Sequence, residues 1–217
     1  MSAEPLKAGR ALWWRWTRYT AAGEVAGFAV PAIVGPLAVR ALPGLPLLPR
    51  TVAIAALVVL AGMAEGVALG TGQWLVVRRV LPGTGYRAWI LPTALAAGLA
   101  YVLGLAPNAL GDLGASTGVV IAAWVVLGTL LLFTIGSAQW LVLRRHVRRS
   151  GLWVPANALA WLAGLPFPFI AIAAVPDGSP VSAFGLAGIL GGLLMGLAVG
   201  AVTGWALLRI LQAQSRD

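Results

Sequence analysis

Two side chains could hold or move a proton within otherwise apolar sequence, Glu24 and Glu65. Each lies in a run long enough to cross a bilayer, where a carboxyl is costly and therefore a functional candidate. Glu65 stands 13 residues before Arg78, about 20 Å from that helix end at 1.5 Å per residue, near mid-membrane. Glu24 stands six residues beyond Arg18, hence about 9 Å inside the same boundary. The carboxyls would then lie about 10 Å apart along the membrane normal unless helix tilt or an unwound turn compensates, which argues against a two-carboxylate catalytic pair. Three chemistries fit such residues: a protonated carboxyl hydrogen bonding to a neighbouring helix, a proton- or cation-linked transport site, or polar contact with a bound cofactor or lipid headgroup.

Other reactive groups are missing. With no cysteine there is no thiolate metal site, disulfide or thiol nucleophile. The single lysine, Lys7, precedes the apolar runs, so no retinal Schiff base can form within them. The single histidine, His146, sits in the basic run 144–149 and cannot supply paired haem ligands. A carboxylate or amide ligand to a chlorophyll magnesium is the one pigment chemistry left open. There is no Walker loop, no His-Glu-x-x-His and no serine nucleophile beside an intramembrane histidine. The reading is therefore no catalytic residues, no metal site and no enzyme, with any cofactor unspecified.

The elements that must position Glu24 and Glu65 are helices. Of the residues, 60% are hydrophobic and 10% charged, with mean hydropathy +0.91, which excludes a water-soluble globular domain. Six runs, approximately 19–39, 52–77, 88–106, 116–143, 153–175 and 183–208, match the roughly 20 residues a spanning helix needs. The expected fold is all-α, one polytopic membrane domain over 1–217. The second and fourth runs would reach about 40 Å and should tilt or project beyond the hydrocarbon. The longest loops are expected around 41–50 and 107–116.

Basic residues fall steeply on one side. Lys7, Arg10, Arg15, Arg18, Arg78, Arg79, Arg87, Arg144, Arg145, Arg148, Arg149, Arg209 and Arg216 make 13 of the 15, against Arg40 and Arg50 on the other. The positive-inside rule places both termini in the cytoplasm. The net charge of +9 then reads as a collar meeting anionic headgroups of the lipid bilayer, with no nucleic acid as partner. The first run contains Glu24, Pro31 and Pro36 and is too long for a signal-peptide core, so it reads as a span. Arginine greatly outnumbers lysine, and Ala, Gly, Leu and Pro abound, as in GC-rich bacterial genomes; the expected location is the bacterial inner membrane.

The chain repeats itself. Trp74, Trp140 and Trp205 precede Arg78, Arg144 and Arg209 by four positions each, and are separated by 66 and 65 residues. Trp16, Trp89 and Trp153 precede Thr20, Thr93 and Asn157 by four, each followed by Ala. The architecture implied is three tandem helical hairpins, approximately 15–80, 88–146 and 152–210, related by a pseudo-threefold axis. A Trp ring settles at the headgroup level and an Arg on the same face can snorkel, so the trailing pairs read as interfacial anchors, with a cation–π contact possible at that spacing. Gln73, Gln139, Thr20, Thr93 and Asn157 recur near one boundary; they read as interhelical hydrogen bonds or caps, or as a polar ring around the axis. The runs Gly70 to Arg79 and Gly136 to Arg145, with a degenerate third copy in which Gly204 replaces the Gln and Ile210 the second Arg, resemble uncharacterised bacterial multi-span membrane proteins. Those proteins carry repeated Gly-x-x-Gln-Trp-Leu-Val-Leu-Arg-Arg helical hairpins. The resemblance implies architecture and no reaction.

Small residues recur every four positions at Gly62, Gly66 and Gly70, and at Gly188, Gly192, Gly196, Gly200 and Gly204. Such stripes let helices approach closely, within the bundle or against another protein. The leading expectation is a non-catalytic integral membrane subunit or scaffold packing against partner proteins, lipids or cofactors, within a possible larger membrane complex. The alternative is a small transporter or channel with a proton- or cation-linked site near Glu65. Pro31, Pro36, Pro92, Pro155, Pro166 and Pro168 could kink helices for either purpose.

Overall fold

The structure, a computed structural model, describes residues 3–214, with side chains from residue 8. The Lys7 side chain and Arg216 of the basic collar lie outside the described residues. Ala, Leu and Gly dominate the runs, and a backbone in lipid must satisfy its own hydrogen bonds, which a helix does internally. The helices are α1 (Ala3–Ala41), α2 (Leu47–Val80), α3 (Tyr86–Asp112), α4 (Thr117–Leu143), α5 (Trp153–Gly164), α6 (Pro166–Ala173) and α7 (Val181–Gln214). A short 3-10 turn, Ser150–Leu152, precedes α5. Six stretches, with α5 and α6 counted as one, are long and apolar enough to cross a membrane, and the described residues contain no strand.

Several boundaries differ from those read in the sequence. The first helix begins far earlier than residue 19, and α3 continues through Pro107 to Asp112, leaving only 113–116 as a turn. Residues 174–180 form the longest connection. Pro31, Pro36, Pro92 and Pro107 are all carried inside helices, whereas the fifth stretch breaks at Leu165. Pro166 and Pro168, two turn-adjacent residues without an N–H, deprive the Leu162 and Gly164 carbonyls of their helical partners, and the chain restarts as α6. Gly114 and Gly178, at φ 88° and 78°, supply the left-handed residues in the turns before α4 and α7.

The helices pack in chain order, α1 on α2, α2 on α3, α3 on α4 and α4 on α5; α5 packs on α7, and α7 returns to α1 to close a ring. Close approach depends on glycine. A Cβ built on Gly66 would stand 2.7 Å from Ala94 Cα of α3, and one on Gly200 2.8 Å from Thr17 Cα of α1. The Gly62–Gly66–Gly70 stripe thus faces α3, and the stripe from Gly188 to Gly204 faces α1, so both are used inside the bundle. The ring is not uniform along its length. Every buried residue of α4 lies between Ile135 and Leu143, and α4 has no packed interface with α6. The bundle is closed at the arginine-rich end and parted between α4 and α6 in the other half.

Candidate functional site

The three leading tryptophans converge inside the ring. Trp16, Trp89 and Trp153 are fully buried, and Trp153 meets Trp16 edge-on at 5.6 Å between ring centroids and Trp89 at 6.4 Å. Polar side chains share their level. Gln139 Nε2 donates to Gln73 Oε1 at 2.7 Å and to Thr93 Oγ1 at 3.2 Å, while Gln139 Oε1 accepts from Trp153 Nε1 at 3.2 Å. On the third side Trp16 Nε1 donates to Thr203 Oγ1 at 2.8 Å, so Thr203 occupies the role that Gln139 fills for Trp153. Thr203 was not singled out in the sequence, although it lies two residues before Trp205 where the other copies carry Gln one residue before Trp. The expected polar ring is therefore partial. Asn157 bonds back to Trp153 O of its own helix at 3.2 Å, and the buried Thr20 hydroxyl has no partner. Gly70 and Gly136, each four residues before its tryptophan, pack on Thr93 and Asn157 of the neighbouring leading helix; before Trp205 that position is Ala201, and it is Gly200, one residue earlier, that packs on Thr20.

Two helical turns from this layer the carboxyls meet. Glu24 and Glu65 are both buried and are neighbours across the contact of the first two helices, contrary to the separation expected from their depths. The reason lies in how α1 registers against α2. Gly23 abuts Ala68 and Leu69, and Gly27 abuts Glu65, so facing residues have numbers that add to about 91 or 92. Arg78 is thus level with Trp13 rather than with Arg18, which stands about five residues deeper and turns back over the Trp14 ring at 5.7 Å. Arg18 was a misleading depth marker because its side chain reaches toward the helix end.

A third residue joins the pair. Tyr101 OH donates to Glu65 Oε2 at 2.6 Å, and the Tyr101 ring lies on Gly62, where a Cβ would collide with it. Tyr101 follows Thr93 by eight residues, as Glu65 precedes Gln73 by eight, so a count from the polar layer could have found it. No Lys, Arg or His occurs within residues 19–39, 51–77 or 88–143, so α1, α2, α3 and α4 bring no cation to the pair. Two neighbouring carboxyls can bond to each other only if at least one carries its proton, so this group is a candidate proton-holding site.

Glu65 and Tyr101 open onto a cavity of about 350 Å³ inside the ring, bounded by residues from all seven helices. Its wall is apolar and aromatic, with Phe28, Phe184, Trp161 and Phe169 among its members. Trp161 is buried, and its Nε1 has no hydrogen-bond partner. Trp124 and Phe169, 40% and 62% exposed, flank the parting between α4 and α6, so the cavity communicates sideways with the outer surface of the bundle. At its arginine-rich end the tryptophan and glutamine layer closes it.

The trailing tryptophans behave differently from the leading ones. Arg78, Arg144 and Arg209 lie over the rings of Trp74, Trp140 and Trp205 at 4.7, 5.1 and 5.4 Å. Trp205 is exposed, and Trp74 also donates its Nε1 to Thr84 O at 3.0 Å. Such contacts are worth about 0.5–1 kcal/mol each when exposed. Arg209→Gln should accordingly shift the unfolding free energy in detergent by no more than about 1 kcal/mol; a larger loss would mean that Arg209 supports the ring itself. On the far side, Arg40 donates to Ser179 O, and Arg50 donates to Val39 O at 3.3 Å, so each ties down a loop or helix end.

No family model, curated protein or solved structure matches the chain.

Proposed function

We propose that the protein is a small proton- or cation-linked transporter of the bacterial inner membrane, with both termini cytoplasmic and its coupling site at Glu24, Glu65 and Tyr101. Three tandem hairpins, approximately 15–80, 88–146 and 152–210, surround a pseudo-threefold axis in this reading. Support for the repeat comes from the matching contacts of Gly70 and Gly136, from the contact of Gly200 with Thr20 one residue out of register, and from the convergence of Trp16, Trp89 and Trp153. The observation that carries the function is the buried carboxyl pair, of which Glu65 faces an in-ring cavity, with no basic residue on the surrounding spans. A purely structural carboxyl would be expected to accept hydrogen bonds from donors on neighbouring helices, yet neither Glu24 oxygen has such a donor.

The scaffold reading rests on the scarcity of reactive groups in the spans, the lack of extramembrane domains and the small-residue stripes; of these, the stripes are engaged between α2 and α3 and between α1 and α7. A lipid contact has its own support. Arg87 and Arg145 flank a groove between α3 and α4 lined by Leu91, Pro92 and Leu141, which suits the phosphate and upper chain of an anionic lipid.

The test is flux. Purified protein in liposomes with an imposed pH gradient should dissipate it faster than protein-free vesicles. Glu65→Gln should reduce that rate about tenfold or more while eluting as a single folded species, because the amide cannot release a proton. Wild-type protein no faster than empty vesicles, across inorganic and organic cations, would remove the transport reading.

A further inference from the structure

We propose that the cavity binds a lipophilic organic amine as its ammonium ion, taken from the membrane through the parting between α4 and α6. The proposal rests on the reading of Glu24 and Glu65 as a proton-holding site and names the ligand class that exchanges with that proton.

Four independent features set the chemistry of the occupant. Access is lateral: α4 is unburied before Ile135 and does not pack on α6, so a molecule reaches the cavity from the surrounding apolar medium rather than from water alone. The wall selects an apolar, flat body, since Phe28, Phe184, Trp161 and Phe169 bound a space of about 350 Å³, within the range of small-molecule sites. The inner end selects positive charge. Glu65 presents acceptor oxygens there, Glu24 stands behind it with both oxygens otherwise unpartnered, and the surrounding spans offer no basic side chain. Aromatic faces around a desolvated cation add to that preference. Finally, the Trp161 indole N–H is buried, unpartnered and on the cavity wall, so it favours a body carrying one hydrogen-bond acceptor.

The exchange balances in charge and protons. The ammonium ion enters with its own proton and donates N–H bonds to Glu65. The proton shared by Glu24 and Glu65 departs to water, and the cavity keeps the net charge it had before. An anionic ligand would meet the carboxyls, and a neutral one would release no proton.

The test uses para-benzyloxybenzylamine, an ammonium ion near neutral pH with an ether oxygen in its body, and para-benzyloxybenzyl alcohol, its neutral counterpart. Titration calorimetry on the intact protein in detergent, repeated in buffers of different ionisation enthalpy, reads both affinity and proton release. The amine should bind at least about tenfold more tightly than the alcohol and release about one proton. Glu65→Gln should abolish that preference and the proton release, while retaining the wild-type elution profile and helical signal. Trp161→Phe should weaken the ether-containing amine about fivefold and leave unchanged the analogue with CH₂ in place of the ether oxygen. Equal affinity for alcohol and amine, or binding without proton release, overturns the proposal. Amine binding with proton release but no flux in liposomes would retain this site and remove the transport reading; flux of protons or inorganic cations without amine binding would do the reverse.

Discussion

Gly196→Ala is expected to destabilise the protein by about 2–3 kcal/mol, a cost characteristic of overpacking a tight interior. A Cβ at this position would lie 2.6 Å from Ala21 Cα and 2.8 Å from Glu24 Cβ. Neither neighbour can give way by rotating a side chain, since one is backbone and the other is fixed to it, so α1 and α7 must separate. Helix propensity works in the opposite direction, because replacing a helical glycine with alanine gains about 1 kcal/mol. Gly128→Ala isolates that gain: nothing lies within 4 Å of its Cβ, so it should be neutral or stabilising. The two variants should therefore differ by about 3 kcal/mol, roughly a hundredfold in the folding equilibrium. Denaturant or thermal unfolding in one detergent measures the difference, and coincident midpoints would show that α1 and α7 are not held at close contact. Gly196→Ala should also impair the acid site, because the added methyl group pushes on Glu24 itself.

Local periodicity made some of this structure legible, and long-range register hid the rest. The trailing Trp–Arg pairs needed only a four-residue spacing on one helix, and all three stack as that spacing implies. The six apolar stretches followed from composition and length, because lipid leaves a spanning backbone few alternatives to helix. The leading tryptophans were harder. Trp16, Trp89 and Trp153 have the same side chain as the trailing set, and only their sharing of a helix face with Thr20, Thr93 and Asn157 marks them as interior. The carboxyl pair was hidden because depth was counted from Arg18, whose charge lies closer to the helix end than its backbone does. Tyr101 showed only in its count of eight from Thr93, matching that of Glu65 from Gln73, and Trp161 gave no local sign at all; its importance comes from which helices stand around it.

Gln139→Leu should cost about 2 kcal/mol or more, inside the ring where four helices exchange hydrogen bonds. Its amide holds Gln73 Oε1, Thr93 Oγ1 and Trp153 Nε1 together, whereas Thr93 separately donates to Trp89 O at 2.8 Å. Leucine preserves the volume but orphans the Gln73 carbonyl and the Trp153 N–H in a layer that excludes water. Interhelical hydrogen bonds in membrane proteins average only about 0.6 kcal/mol, so a single lost bond would not produce this effect. The expected size comes instead from stranding two buried groups, each costing about 1–3 kcal/mol. That cause makes a second, sharper expectation. Gln73→Leu combined with Gln139→Leu removes one stranded group along with the residue that stranded it. The double variant should be no less stable than Gln139→Leu alone, even though it alters one more buried side chain. Unfolding midpoints for the two single variants and the double variant decide the matter: additive losses would mean that Gln73 and Gln139 contribute through packing with their separate neighbours, and that the layer closing the cavity is held by shape rather than by the shared hydrogen bond.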